Sequence, residues 1–162
     1  MTQPDFKTAD LCDEHSDQVQ IAEPIFRNYG AKTKFGGEIY ILKLFEDYGL
    51  TKETVNLDGN GKVLVIDGGG SPRCAMFGDL LCATAIKNGW RGVLVNGFVR
   101  DTADVNTMEM SVKALGTCPV KPPLEGAGHK NVPVRFAGVN FHPGHYIYSD
   151  EDGIIVSENA LI

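Results

Sequence analysis

The side chains in this sequence best placed to do chemistry lie between Gly78 and Asp104. Asp79 follows Gly78, and twenty residues further on come Arg100 and Asp101 together, with Asp104 after two more. Arginine presents a planar fork of donors that fits a carboxylate. Aspartate presents hard oxygen to a divalent cation, with water filling the rest of the coordination sphere. Backbone supplies a third ingredient. Phe77, Leu81, Ala85 and Ile86 form an apolar stripe at helical spacing and Gly89 stands where a left-handed terminal residue belongs, which predicts a helix over 79–88. The first amides of a helix lack intrahelical partners, and its dipole favours negative charge there. Gly78, Asp79, Leu80 and Leu81 are therefore candidate ligands of a small acid such as a keto acid, with Arg100 on the same anion. Asp101 is the candidate metal residue. Asp79 and Asp104 are candidates to order metal-bound water or carry protons, so that Asp79, Arg100 and Asp104 form the candidate catalytic set. Spacing alone leaves a plainer alternative open: Asp79 as a helix-capping residue or a first-turn charge, and Arg100-Asp101 as a solvated pair.

These loops need strands to hold them. Val63-Leu64-Val65-Ile66 and Val93-Leu94-Val95 are continuous apolar runs, as strands buried on both faces require. With the helix between them they predict a βαβ unit with parallel strands and a right-handed crossover. Ligands of such sheets bind beyond the carboxyl ends of the strands. The first strand runs into Asp67-Gly68-Gly69-Gly70-Ser71-Pro72 and on to Gly78, the second through Asn96 to Arg100, and both loops are expected to face one cleft. Around this unit the pattern predicts a short acidic helix over 8–15 with a Thr or Asp cap and a strand over 38–45 bounded by Gly36-Gly37 and Gly49. A polar helix follows over 50–57, a short helical stretch over 102–106 and a Pro- and Gly-rich loop over 119–128. Short β runs follow at 132–136, 139–141, 146–148 and 154–156. The sum is one mixed α/β domain over residues 1–162, without repeat or linker.

Composition narrows the function further. The 162 residues carry 15 basic and 21 acidic side chains, a net charge of −6, with no concentration of Lys and Arg. A phosphate-binding face for nucleic acid is not expected from such a chain. No apolar run reaches the roughly 18 to 20 residues of a membrane span. Met1-Thr2-Gln3-Pro4-Asp5 has neither the basic start nor the apolar stretch of a secretory signal, so a cytoplasmic location is expected. Cys12, Cys74, Cys82 and Cys118 show no two-residue spacing and read as cytosolic thiols packed as small hydrophobes. Nineteen glycines exceed the usual share of about 7% and imply many tight turns.

Five segments carry a resemblance. They are Ala9-Asp10-Leu11-Cys12-Asp13, Phe45-Glu46-Asp47-Tyr48-Gly49-Leu50, Val63 through Ser71, Asn88-Gly89-Trp90-Arg91-Gly92, and Tyr148-Ser149-Asp150 with Gly153-Ile154-Ile155-Val156-Ser157. Together they make the chain similar to the RraA-like family, which contains regulators of ribonuclease E activity and metal-dependent 4-hydroxy-4-methyl-2-oxoglutarate aldolases. The family's aldolase pattern is Asp, twenty residues, Arg-Asp, two residues, then an acidic residue, and Asp79, Arg100, Asp101 and Asp104 match it throughout. The resemblance implies a β/β/α sandwich of the swivelling-domain type with a central βαβ unit and mixed sheet, assembled as a homotrimer with sites near subunit boundaries. It implies substrate binding by the backbone of residues 78–81 and by Arg100, with Asp101 anchoring Mg²⁺ or Mn²⁺. The activity implied is class II aldol cleavage of a 4-hydroxy-2-oxo diacid to pyruvate, with oxaloacetate decarboxylation as a side reaction. Nothing after Ile162 is expected to supply the C-terminal extension by which longer aldolases of the family complete a neighbour's site.

Several rival chemistries are weaker. A Schiff-base aldolase needs a buried lysine, whereas Lys43 and Lys87 both fall where a solvated face is expected. Asp67-Gly68-Gly69-Gly70-Ser71 matches neither the dinucleotide nor the phosphate-loop spacing, which argues against a nucleotide or methyl-donor site. His142 and His145 stand two residues apart across a turn with no further ligand nearby in sequence, and read as surface histidines. Trp90 and Phe77 read as packing residues. The rival from another class is a non-catalytic protein that binds and inhibits ribonuclease E, since an acidic surface suits a basic partner.

Overall fold

Alternate residues of the two apolar runs enter different cores, which is why both runs are apolar throughout. The structure, a computed structural model, describes residues 3–162, and the part of the N-terminal expectation that rests on Met1 and Thr2 lies outside the described residues. In chain order the first elements are α1 (Thr8–Glu14), β1 (Val19–Ile21), β2 (Arg27–Tyr29), β3 (Phe35–Lys43), α2 (Gly49–Val55), β4 (Val63–Asp67), β5 (Ala75–Phe77) and α3 (Asp79–Lys87). Then come β6 (Gly92–Val99), α4 (Thr102–Val105), β7 (Val112–Thr117), β8 (His129–Lys130), β9 (Val134–Phe136), β10 (Val139–Phe141), β11 (Tyr146–Ser149) and β12 (Ile154–Ser157).

In β4 and β6, Leu64, Ile66, Val93 and Val95 join Cys82 and Ala85 of α3 and Val55 of α2 in one core. Val63, Val65 and Leu94 join Val134, Phe136, Val139 and Phe141 in the other. A helix layer thus covers one face of the sheet and the β9–β10 hairpin the opposite face, which bears out the mixed α/β sandwich. The main path of the sheet runs β1-β12-β11-β3-β4-β6-β7-β2, with β3, β4, β6 and β7 mutually parallel and the outer pairs antiparallel. The central βαβ unit is present as expected. Gly89, at φ 81°, terminates α3 in the left-handed conformation.

β1, β2 and β8 had no counterpart in the sequence reading, and four further details depart from it. Gly36 and Gly37 lie inside β3 rather than bounding it, because a Cβ on Gly37 would stand 2.6 Å from the Gly61 carbonyl oxygen and one on Gly36 2.9 Å from the Tyr148 ring. Phe77 belongs to β5, a three-residue strand parallel to β6, and not to the helical stripe. The cap of α1 is neither Thr nor Asp of the helix itself. The Asp150 carboxylate supplies it from 142 residues away, accepting the Thr8 N–H at 2.8 Å and the Thr8 hydroxyl at 2.6 Å. Finally, β7 was not apparent in the sequence because Lys113 and Gly116 interrupt its apolar pattern, yet Lys113 is buried and donates to the Asp150 carbonyl at 2.8 Å. No helix among the described residues is long and apolar enough to cross a membrane.

Candidate active site

β6 delivers Arg100 and Asp101 to the N-terminus of α3. The Arg100 N–H donates to the Phe77 carbonyl at 3.0 Å, so the end of β6 is tied to β5 one residue before Gly78. Asp101 then adopts a left-handed conformation, φ 58°, uncommon for a residue with a side chain. Its backbone carbonyl starts α4, accepting the N–H groups of Asp104 and Val105 at 3.0 and 2.8 Å. Its carboxylate is turned towards α3, where Oδ2 accepts the Asp79 N–H at 3.2 Å. Arg100 Nε lies 3.7 Å from the same oxygen. Gly78 makes this approach possible: a Cβ there would stand 2.6 Å from Asp101 Oδ2 and 3.3 Å from Arg100 Cγ.

Asp79 Oδ1 accepts the Leu80 N–H at 2.8 Å. The Asp79 and Leu80 amides, expected to be free for an anion, are thus already engaged by two carboxylates. The N-cap of α3 is Gly78, and Asp79 is an acidic residue of its first turn that accepts one of its amides. Burial pushes the Asp79 carboxyl up, and its contact with Asp101 and the charges of Asp101 and Asp104 add to that against the Leu80 N–H. Two acidic groups thus stand together at the positive end of a helix.

A cleft of about 240 Å³ opens beside this corner, lined by Gly78, Asp79, Leu80, Leu81, Arg100 and Asp101. Its volume suits an acid of a few carbons. Asp104 does not line it; that residue is exposed on α4 and reaches Asp79 only through its charge. The glycine run does not line it either, contrary to the expectation that both loops face one cleft. β5 intervenes, and the run closes on itself: Gly68 and Gly70 donate to the Asn96 carbonyl, and Gly69 to Asp67 Oδ1 at 3.0 Å.

Four polar cleft residues on α2, its caps and the Pro-rich loop escaped the sequence reading. Tyr48, Lys52 and Asn56, four residues apart, present one face of α2 and its cap to the cleft, and Lys121 enters from the Pro-rich loop. Lys121 Nζ stands 5.4 Å from the Tyr48 ring centroid. The four-residue spacing was a usable signal; Lys121 offered none without coordinates. Lys52 and Lys121 give the cleft two cations besides Arg100.

The remaining candidates fall outside the cleft. Lys43 and Lys87 are exposed, as expected of solvated lysines. His142 and His145 have ring centroids 4.8 Å apart, and among the described residues no group of three or more His, Cys, Asp or Glu could hold a metal. All four cysteines are free, with Cys74 and Cys82 buried and Cys12 and Cys118 half-buried. Burial pushes the Cys82 thiol up to about 12, so it is inert packing beneath Asp79.

The RraA-like model, described as Aldolase/RraA, matches residues 8–156. A protein of Dechloromonas aromatica (strain RCB) named "Putative 4-hydroxy-4-methyl-2-oxoglutarate aldolase" is 52% identical over 160 residues, covering 96% of this chain and 98% of that protein. One of the same name from Pseudomonas fluorescens (strain Pf0-1) is 50% identical over 156 residues, covering 96% of each. Among solved structures, one described as S-adenosylmethionine:2-dimethylmenaquinone methyltransferase from Geobacillus kaustophilus superposes with a TM-score of 0.94 at 44% identity, covering 96% of this chain and 97% of that one. Another, described as the RNA-processing inhibitor RraA from "Thermus thermophilis", gives 0.92 at 35% identity, covering 96% and 94%. Three different activities are named on one fold, so the fold cannot choose among them and the site must. A family match across 8–156, with half the residues identical over nearly the full length of both curated relatives, means that the chain belongs to the RraA-like (Aldolase/RraA) family.

Proposed function

We propose that the protein is a divalent-metal-dependent, class II aldolase that cleaves 4-hydroxy-4-methyl-2-oxoglutarate or a related 4-hydroxy-2-oxo diacid, with oxaloacetate decarboxylation as a side reaction. The observation that carries this reading is the convergence of Arg100, the Asp101 carboxylate and the start of α3 on a small cleft that also holds Lys52 and Lys121. One cationic region suits the 2-oxo acid end of the substrate. The two lysines suit its second carboxylate.

The residues present fit a cation. Asp101 and Asp79 bring carboxylate oxygens together, and a site with so few protein ligands suits Mg²⁺ or Mn²⁺, which retain water and take oxygen donors. When bound, such an ion supplies Lewis acidity at the 2-oxo group. Arg100 orients the same end and stabilises the oxygen on which charge develops, a type of interaction worth about 3 to 4 kcal/mol per donor. Asp79, which lines the cleft beside Asp101, receives the proton of the 4-hydroxyl through water. The bond between C3 and C4 breaks and its electron pair passes to C3, giving pyruvate enolate and a new carbonyl at C4. Protonation at C3 completes pyruvate. Oxaloacetate loses CO₂ to the same enolate.

The reading includes a homotrimer with sites near subunit boundaries. Its support is Leu80, 79% exposed at the cleft, and Val120, 52% exposed beside Lys121, apolar side chains that a neighbouring subunit would cover. The test of function is pyruvate release from 4-hydroxy-4-methyl-2-oxoglutarate and from oxaloacetate by protein stripped of metal and then restored with Mg²⁺ or Mn²⁺. Release only with metal, and none from Arg100→Ala or Asp101→Ala, is expected; no release with either ion would overturn the reading.

A second reading, binding and inhibition of ribonuclease E, has its own support. The Thr8–Asp150 contact ties α1 to the turn that follows β11, and Asp10, Asp13 and Glu14 of α1 and Glu151 and Asp152 of that turn are all exposed; such acids complement a basic partner. Co-purification with the ribonuclease, lost when these acids are replaced by lysine, is its test.

A further inference from the structure

Asp47 is 3% exposed and does not line the cleft, yet its carboxylate is surrounded by backbone donors. Oδ1 accepts the Gly49 N–H at 2.8 Å and the Gly126 N–H at 3.0 Å, and Oδ2 accepts the Glu125 N–H at 3.0 Å. The first of these donors opens α2; the other two belong to the Pro- and Gly-rich segment that carries Lys121. Tyr48 adds a grip from the next residue, donating its N–H to the Pro123 carbonyl at 3.1 Å. The backbones are nearly in contact, since a Cβ on Gly49 would stand 2.5 Å from Gly126 N and Cα.

Upstream of Lys121 the segment is tied to the sheet by the Val120 carbonyl, which accepts the Ala75 N–H at 2.8 Å, and by the Cys118 N–H, which donates to the Val99 carbonyl at 3.0 Å; downstream, at 123–126, the bonds to Asp47 and Tyr48 hold it. Residues 118–128 form no helix or strand, and from 119 to 128 only Pro122 is buried. Hydrophobic burial therefore cannot fix its position, and directed hydrogen bonds must. A buried carboxylate is a costly anchor unless several N–H groups satisfy it. Burial pushes the Asp47 carboxyl up, and the N–H groups of Gly49, Gly126, Glu125 and Ala127 outweigh this and leave it below the usual carboxylate range. It is an ionised group dedicated to one loop.

We infer that Asp47 is a positioning residue for the second-carboxylate subsite: it latches residues 123–126 to the start of α2 and so holds Lys121 at the cleft beside Tyr48. The subsite's role rests on the aldolase reading; the latch itself does not. Asp47 touches no substrate atom and acts only through the loop.

Two readouts separate these layers. In Asp47→Asn, an amide NH₂ replaces one acceptor and faces an N–H, and hydrogen exchange at Glu125 and Gly126 is expected to quicken about tenfold or more, while amides of β4 and α3 exchange as before. Unchanged protection at 125 and 126, or a loss spread across the whole sheet, would overturn the latch. In kinetics, KM for the oxo diacid is expected to rise about tenfold with kcat within about twofold, and Asp47→Asn is expected to add nothing further to KM in a Lys121→Met background. A fall in kcat at constant KM, or effects that multiply in the double variant, would mean a merely structural role. Gly126→Ala provides an independent route should Asp47→Asn fold poorly. Its Cβ meets nothing within 4 Å, but φ of +83° strains the latch from the other side, and the same KM shift is expected. An inactive parent protein would overturn the aldolase reading, and the exchange result would then decide the latch alone.

Discussion

Asp101 Oδ2 accepts the backbone N–H of Asp79 at 3.2 Å, although 22 positions separate the two residues. This bond closes the corner where the end of β6 meets the start of α3, and it brings a cation-seeking carboxylate and the positive end of a helix dipole to one point.

Gly78→Ala places a methyl group 2.6 Å from Asp101 Oδ2. The carboxylate must move, and Arg100 with it. Metal-dependent kcat/KM is expected to fall by about 10² to 10³, the range found when a single transition-state donor is lost. The melting temperature should fall much less than activity, because the displaced groups, Asp101 and Arg100, are only half-buried and no apolar core side chain changes. Steady-state kinetics and a thermal melt on one preparation check both.

Arg100→Lys keeps the charge but removes the planar fork. Pyruvate affinity in the presence of Mn²⁺ is expected to drop at least tenfold, by the roughly 1.4 kcal/mol or more that a charge-assisted hydrogen bond contributes. Titration calorimetry reads this directly. A lysine variant that binds as the parent does would show that Arg100 serves only as a point charge.

Lys121→Met should separate the two ends of the substrate. KM for a 4-hydroxy-2-oxo diacid is expected to rise about 10- to 100-fold, while affinity for pyruvate, which has a single carboxylate, stays unchanged. Lys52→Met should move in the same direction.

Asp150 holds α1 through Thr8, and its acid stability has a definite sign. Burial pushes the Asp150 carboxyl up, and hydrogen bonds from Thr8, Asp152 and Gly153 outweigh this and leave it below its ordinary value. A depressed folded-state pKa gives stability that is fully present above the unfolded value, about 3.9, and lost as pH falls through the folded value. Thermal melts from neutral pH down to about pH 3 should show the parent losing stability more steeply than Asp150→Asn. The variant should melt lower at neutral pH, by the roughly 1 kcal/mol of a lost helix cap.

The sequence made the centre of the fold legible because β4 and β6 are buried on both faces and need no alternation to be recognised. The ends of α3 were equally plain, with Gly78 before it and Gly89 after it. Arg100, Asp101 and Asp79 stood out by residue type and spacing together with the family pattern, and the coordinates bring them together. β5 was not legible: three apolar residues fit a helical stripe as well as a strand, and only pairing with β6 distinguishes them. The α1 cap and the Asp47 latch were hidden for another reason, since their partners lie 142 and 78 to 79 residues away. Asp104 matched the spacing of the family pattern, but its place on α4 turns it outside the cleft walls.

The most direct test is the linkage between Mn²⁺ and pyruvate in the isolated protein. If Asp101 holds the cation and Arg100 the oxo anion bound beside it, each ligand should tighten the other by the same factor, and Asp101→Asn should abolish the effect without unfolding the chain. Mn²⁺ and pyruvate binding independently of one another in the parent protein, or an undiminished linkage in Asp101→Asn, would contradict the account.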